Sequence, residues 1–226
     1  SMKDREYSVN KPHGTYRVAV IGDSVTFGSG IAVENLYTEI LEDRLKAEGR
    51  PVEILNTAVT GYNSVQEDVV LREKVIPLNP DMVVIGYCLN DNSATDGFKE
   101  IARQMHPGSI GSRLHSKFIS LVLDRLEEAT GSWFKSFRGT KQLFKSLGRS
   151  QRDHGIEAVV VIFPYNFSAL EVYKQRERHQ QIRGMAEAEG IRVLDFLEFT
   201  KTLSAAEREA LYQPGDKAHF SAAGMK

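Results

Sequence analysis

A serine, a histidine and an aspartate in this chain have the types and surroundings that nucleophilic chemistry needs. Ser24 lies in Val18-Ala-Val-Ile-Gly-Asp-Ser-Val-Thr-Phe-Gly28, where four apolar, mostly β-branched residues run into Gly22-Asp23-Ser24. An amphipathic helical pattern follows within about ten residues. A buried strand that stops at glycine and re-enters as a helix puts its turn at the carboxyl edge of a parallel sheet, where open α/β sheets bind ligands. A serine there has its hydroxyl exposed and lies near backbone N–H groups at a helix start, which favour negative charge. Two readings fit this stretch taken alone: Ser24 as a nucleophile, or a phosphate-binding or purely structural turn with serine as the cap.

A serine hydroxyl is a weak nucleophile until a base takes its proton. The chain has six histidines. His13 lies in a polar lead-in and His154 ends a helix. His106 and His115 are in an irregular segment, and His179 falls on an apolar stripe with Val172, Ile182 and Ala186, as a packed histidine does. His219 differs, because Asp216 precedes it by three residues in a loop flanked by Pro214 and Gly215. One turn of chain lets the carboxylate reach Nδ1–H while Nε2 faces outward, the orientation a general base needs. Asp-x-x-His alone is also met as a helix cap beside a chance histidine.

Acyl chemistry further requires donors fixed where a tetrahedral oxygen develops charge. Gly61 can bring its backbone N–H close because it has no Cβ, and Asn90 offers a side-chain amide. Each is otherwise an ordinary turn residue. Their position joins them: Ser24, Gly61 and Asn90 each follow an expected strand, so all three converge on one edge.

The elements that must do this positioning are legible. Strands are expected at Tyr16 to Ile21, Val52 to Leu55, Met82 to Gly86, Ala158 to Phe163 and Arg192 to Asp195. Val33, Leu36, Tyr37, Ile40, Leu41 and Leu45 recur at helical spacing before Gly49 and Pro51. Ser64 with Glu67 reads as a capping box for a helix that stops at Pro77. The alternation of strand and helix implies a parallel sheet with right-handed crossovers. From Asn92 to Glu157 it breaks. Two helices are expected there, at about Lys117 to Ala129 and Lys141 to Asp153, with Trp133, Phe134 and Phe137 between them. This is long for one crossover, so a lid over the sheet edge stands beside an ordinary helix pair with core aromatics. Further helices are expected at Val172 to Glu189 and Leu203 to Leu211. Ser221 could cap a helix that has barely begun at Lys226, so the natural chain is expected to continue.

Taken together, Gly22-Asp23-Ser24, Gly61 after Asn56, Asn90-Asp91 and Asp216-x-x-His219 resemble the four blocks of the SGNH hydrolases, also called GDSL esterases and lipases. Order and approximate separations match across nearly the whole chain. The resemblance implies a three-layer α/β/α flavodoxin-like fold with about five parallel strands, spanning residues 16–226 after an N-terminal lead-in at 1–15. It implies Ser24 as nucleophile, His219 as base and Asp216 as its orienter. The oxyanion donors would be the Ser24 and Gly61 backbone N–H groups and the Asn90 side chain. One departure stands out: the family usually has glycine two residues before the asparagine, and here that residue is Cys88. The expected activity is that of a serine esterase or acylhydrolase acting on a small or medium acyl ester, with no metal or cofactor. An acyltransferase with the same residues is chemically equivalent. A flavodoxin-like binding module, holding phosphate at Ser24-x-Thr26-x-Gly28, is the reading from another class.

Composition narrows the partners. In 226 residues, Lys+Arg total 29 and Asp+Glu 30, so net charge offers no footprint for nucleic acid or an anionic membrane. The expected partner is a small-molecule ester. One cysteine rules out an internal disulfide. No apolar run approaches the roughly 20 residues that span a bilayer. Ser1-Met2 reads as an expression scar, and the lead-in around Arg5-Glu-Tyr7 and Lys11-Pro12 resembles that of membrane-anchored bacterial members of the family. A bacterial envelope or secreted location is therefore expected over a cytoplasmic one.

Overall fold

The computed structural model describes residues 5–91, 137–167 and 173–226. Five strands form one all-parallel sheet in the order β2-β1-β3-β4-β5. They are β1 (Tyr16–Gly22), β2 (Val52–Asn56), β3 (Met82–Cys88), β4 (Glu157–Phe163) and β5 (Arg192–Asp195). These are the strands expected from the sequence, with ends moved by a residue or two. In β1, Val18 and Val20 face one side of the sheet while Ala19 and Ile21 face the other, and all four are buried. Strands covered on both faces read as unbroken apolar runs.

The winding explains where the site falls. The chain passes from β1 to β2 on one side, then crosses to β3 on the other side of β1. The direction of winding reverses there, so a crevice opens beyond the carboxyl ends of β1 and β3. Gly22 and Gly86 are paired at that end.

After β1 comes the short α1 (Ser24–Phe27). A 3-10 turn at Val33–Asn35 precedes α2 (Tyr37–Ala47), splitting the helix expected across that stretch. On one sheet face lie α3 (Ser64–Val70), α4 (Arg138–His154) and α5 (Arg176–Glu187), with Val70, Leu143, Phe144, Leu147 and Ile182 packed on Ala19, Ile21 and Leu55. On the other, Tyr37 and Leu45 pack on Val18, Val20, Val52 and Ile54. This is the three-layer α/β/α arrangement.

Three details depart from expectation. The cap of α3 is Asn63, not Ser64: Asn63 Oδ1 accepts the N–H groups of Val65 and Gln66 at 3.0 and 3.3 Å, and Gln66 Oε1 accepts the Asn63 N–H at 3.1 Å. The one-residue shift releases Glu67 from capping and turns it fully into the interior. Past Val70 the chain winds through a π turn at Leu71–Val75 and a 3-10 turn at Ile76–Leu78 that contains Pro77. A short α6 (Phe196–Thr200) was not expected; Asp195 Oδ1 caps it by accepting the Leu197 N–H at 3.0 Å. The last helix, α7 (Ala205–Ala210), is capped by Ser204.

The helix expected at Lys117 to Ala129, and Trp133 and Phe134 of the possible lid, lie outside the described residues. Phe137 is described and belongs to the core. Beside α2, a groove of about 510 Å3 remains on the second face, lined by Val84, Val159, Val161, Phe163, Leu194 and Met225 among others. At the tail, Ser221 Oγ accepts the Gly224 N–H at 3.2 Å, forming one capped turn. Among the described residues, no helix is long and apolar enough to cross a membrane.

Candidate active site

Ser24 opens α1 directly beyond β1. Asp23 caps this four-residue helix, its Oδ1 accepting the Val25 N–H at 2.9 Å. Side-chain packing also holds α1 down. The Thr26 side chain fits against Gly22 and Gly86; a Cβ on Gly22 would lie 2.5 Å from Thr26 Oγ1, and one on Gly86 would overlap it. Thr26 Oγ1 donates to the Gly86 carbonyl at 3.4 Å and accepts from Tyr37 Oη at 3.2 Å. That hydroxyl is buried in the core, so Ser24-x-Thr26-x-Gly28 does not present a row of donors to a phosphate.

The loop from Gln213 to His219 meets Ser24 from the other end of the chain. Gln213 Nε2 donates to the Ser29 carbonyl at 2.7 Å and to the Phe220 carbonyl at 3.1 Å, and the Gln213 N–H donates to the His219 carbonyl at 2.9 Å. From the β4 side, Tyr212 Oη donates to the Pro164 carbonyl at 2.8 Å and the Asn166 N–H to the Lys217 carbonyl at 2.7 Å.

Within this loop, Asp216 Oδ1 accepts the N–H groups of Ala218 and His219 at 2.7 and 2.9 Å. Its Oδ2 lies 2.9 Å from His219 Nδ1, and His219 Nε2 lies 2.8 Å from Ser24 Oγ. A carboxylate only accepts, so Nδ1 carries the proton and Nε2 accepts the Ser24 hydroxyl. Partial burial pushes Asp216 upward, but the two N–H groups and the imidazole outweigh it and hold the carboxyl at about 2. The structure thus brings Ser24, His219 and Asp216 into one hydrogen-bonded line.

The two other expected residues stand at the same edge. Gly61 has φ +81° in a turn closed by the Tyr62 N–H on the Val59 carbonyl at 3.2 Å, a conformation that favours glycine. The Val59 N–H donates to the Gly22 carbonyl at 3.0 Å, tying this turn to the strand end before Ser24. Among the described residues the Gly61 N–H has no acceptor. The Ser24 N–H, as the first of α1, has none within its helix. Asn90 Nδ2 donates to Asp23 Oδ2 at 3.1 Å, which sets the amide nitrogen on the serine side of its loop.

Cys88 resolves the departure from the family pattern. It is the last residue of β3, and among the described residues Asn79 is the only non-glycine with positive φ. The backbone into Asn90 therefore needs no glycine at this position. Asp91 shapes the loop instead, its Oδ2 accepting the Cys88 N–H at 2.7 Å and its carbonyl the Ser64 N–H at 2.8 Å. Burial first, then Asp23 and Asp91, push the thiol well above its ordinary range. An un-ionised buried thiol is a poor nucleophile.

His179 is a packed histidine, with Nε2 2.8 Å from Tyr173 Oη and Nδ1 2.8 Å from Asp195 Oδ1. His106 and His115 lie outside the described residues. Two braces escaped the sequence reading: Gln213, and Arg178, whose Nη2 donates to the Leu89 carbonyl beside Asn90 at 3.0 Å. Both bridge residues far apart in the chain, and no local pattern marks them. Among the described residues, no group of three or more His, Cys, Asp or Glu is placed to hold a metal ion.

Fold and edge together define an α/β protein of flavodoxin-like winding with a serine, a histidine and an aspartate aligned at its switch point. The chain belongs to the GDSL-like lipase/acylhydrolase family, which matches over residues 20–226. The family is one of hydrolases, and esterases are among the solved structures of similar fold. TesA aligns with a TM-score of 0.58 at 19% identity, covering 92% of this chain and 91% of that one. Axe2, an acetylxylan esterase from Geobacillus stearothermophilus, aligns with a TM-score of 0.58 at 17% identity, covering 93% and 89%. LAE5, an alpha/beta hydrolase enzyme from the metagenome of Lake Arreo, Spain, gives 0.59 at 16%, with 93% and 89% covered. At these identities the likeness is one of fold. No curated protein matches the chain.

Proposed function

We propose that this protein is a serine esterase or acylhydrolase that cleaves esters of small or medium acyl groups through an acyl-enzyme. The observation that carries the reading is the line Ser24 Oγ–His219 Nε2 at 2.8 Å and His219 Nδ1–Asp216 Oδ2 at 2.9 Å. Family membership and the esterases of similar fold support it.

Ser24 Oγ attacks the ester carbonyl carbon as its proton passes to His219 Nε2. Asp216 stays a carboxylate throughout and stabilises the imidazolium through Nδ1–H. The tetrahedral oxygen draws on the N–H groups of Ser24 and Gly61 and on the Asn90 amide. As the carbonyl re-forms, the bond to the alcohol oxygen breaks, and the alcohol leaves with the proton from Nε2. Water then attacks the acyl carbon, gives its proton to Nε2, and Ser24 takes a proton back on release. A second alcohol in place of water gives acyl transfer by the same steps.

A fluorophosphonate probe tests the assignment on the full chain. It labels one site in the wild type, and Ser24→Ala abolishes both labelling and aryl-ester hydrolysis. Labelling that persists in Ser24→Ala, or that moves to Cys88, overturns it. An aryl-ester series of increasing chain length then reads the acyl preference.

A further inference from the structure

The chain's near-zero net charge hides a local excess. Helix α4 carries Arg138, Lys141, Lys145, Arg149 and Arg152, all exposed, against a single acid, Asp153. At 3.6 residues per turn these five cations fall within an arc of about 80° and extend along about 21 Å of the helix. Among the described residues none of the five makes an ion pair. Acids at i+3 and i+4 can pair with cations on a helix surface; on α4 the one such position is Asp153, four residues after Arg149, and the other four cations have no acid at these spacings.

Beside the stripe, between α4 and the last turns of α5, runs a groove of about 510 Å3. Arg138, Lys141 and Lys145 line it together with Phe137, Met185 and Glu189. A row of unpaired cations beside a groove of mixed lining, with Met185 and Ala188 among its apolar residues, suits an amphiphile whose acidic headgroup sits on the cations. Single-stranded nucleic acid would call for exposed aromatic faces among the cations, and among the described residues this stripe has none. The stripe also starts close to the site: Thr140 Oγ1 lies 3.2 Å from Ser64 Oγ, and the Ser64 N–H is held by the Asp91 carbonyl next to Asn90.

From this we infer that the α4 stripe with its groove is a docking surface for an anionic lipid bilayer, placing the Ser24 edge beside the membrane surface. Each Lys or Arg near such a surface contributes to attraction that falls off within a Debye length.

The test is co-sedimentation of the full chain with vesicles of phosphatidylcholine alone or with phosphatidylglycerol added. Binding is expected only with phosphatidylglycerol, and it falls steeply in high salt. The variant Lys141→Glu/Lys145→Glu/Arg149→Glu loses at least about a hundredfold in partitioning with an unchanged thermal midpoint. If that variant is unstable, Lys141→Gln/Lys145→Gln must show the same direction. Equal binding to neutral vesicles, full binding by a folded variant, or capture on heparin with no vesicle binding each overturns the inference. None of these readouts depends on hydrolysis, so failure here leaves the assignment of Ser24 standing, and the reverse.

Discussion

At the scale of single residues, Asp23 adjoins the serine and interacts with Asn90 and Glu67, and none of the three belongs to the Ser24–His219–Asp216 line. Asp23 is 1% exposed and accepts from Val25 and Asn90; burial raises its pKa, and those donors only partly offset it. Its bond to Asn90 holds the amide nitrogen against the carboxylate next to Ser24. If Asn90 donates to the oxyanion as proposed, Asn90→Ala lowers kcat by about 10²- to 10³-fold with little change in KM, because such a donor matters mainly in the transition state. Steady-state kinetics on an aryl ester decide it; retention of half the wild-type kcat would leave the backbone N–H groups to do the work alone. Glu67 is wholly buried, with both carboxyl oxygens unpartnered among the described residues. Burial, then repulsion by Asp23, raises its pKa well above the ordinary range. The unfolded chain releases that proton near pH 4.3, whereas the folded chain keeps it. Folding therefore takes up a proton above that pH, and stability declines as pH rises toward the folded pKa. Glu67→Gln removes this slope, so the melting temperature of the variant should gain on the wild type from pH 5 to pH 9. Parallel melting profiles would show that Glu67 is not protonated in the folded chain.

At the scale of elements, the decisive contact is between α1 and the ends of β1 and β3. A four-residue helix has no stability of its own. It is held by the Asp23 cap and by Thr26 seated on two glycines that face each other across the strands. Gly86→Ala places a methyl group into Thr26 Oγ1 and lifts the helix that begins at Ser24. Overpacking of this kind costs about 1–3 kcal/mol, and kcat should fall with it. Thr26→Ala in the same chain should recover part of both losses, because the two substitutions share one contact. Thermal melts and kinetics on the single and double variants measure this, and additive effects would mean that α1 is anchored elsewhere.

At the scale of the whole molecule, the described residues cover the two faces of the sheet unequally. One face lies under α3, α4 and α5, while beside α2 the other retains an apolar groove that reaches Leu194 at the edge strand. Leu41 and Leu194, which line it, are 46% and 57% exposed. An apolar patch of this kind takes up apolar dyes. The folded chain should therefore enhance the fluorescence of anilinonaphthalene sulfonate, and Leu41→Lys/Leu194→Lys should lower that signal without shifting the melting temperature. Enhancement unaffected by the pair would place the dye elsewhere.

How much could be read without coordinates follows from the range of the interactions. Burial of a strand on both faces is written into local composition, so Val18 to Ile21 and Ala158 to Phe163 announce themselves. The alternation of such runs with helical spacing dictates a parallel sheet, and hence that residues after the strands gather at one edge. Ser24, Gly61 and Asn90 were placed by that rule, and Asp216 with His219 by their spacing. Caps compete over a single residue, so the local pattern points to Ser64 where Asn63 binds. Only the tertiary structure decided that Cys88 needs no glycine backbone, that Glu67 turns inward toward Asp23, and that Gln213 and Arg178 brace loops remote in the chain. Those outcomes depend on which strand lies beside which, and β1 between β2 and β3 brings together residues that no local pattern connects.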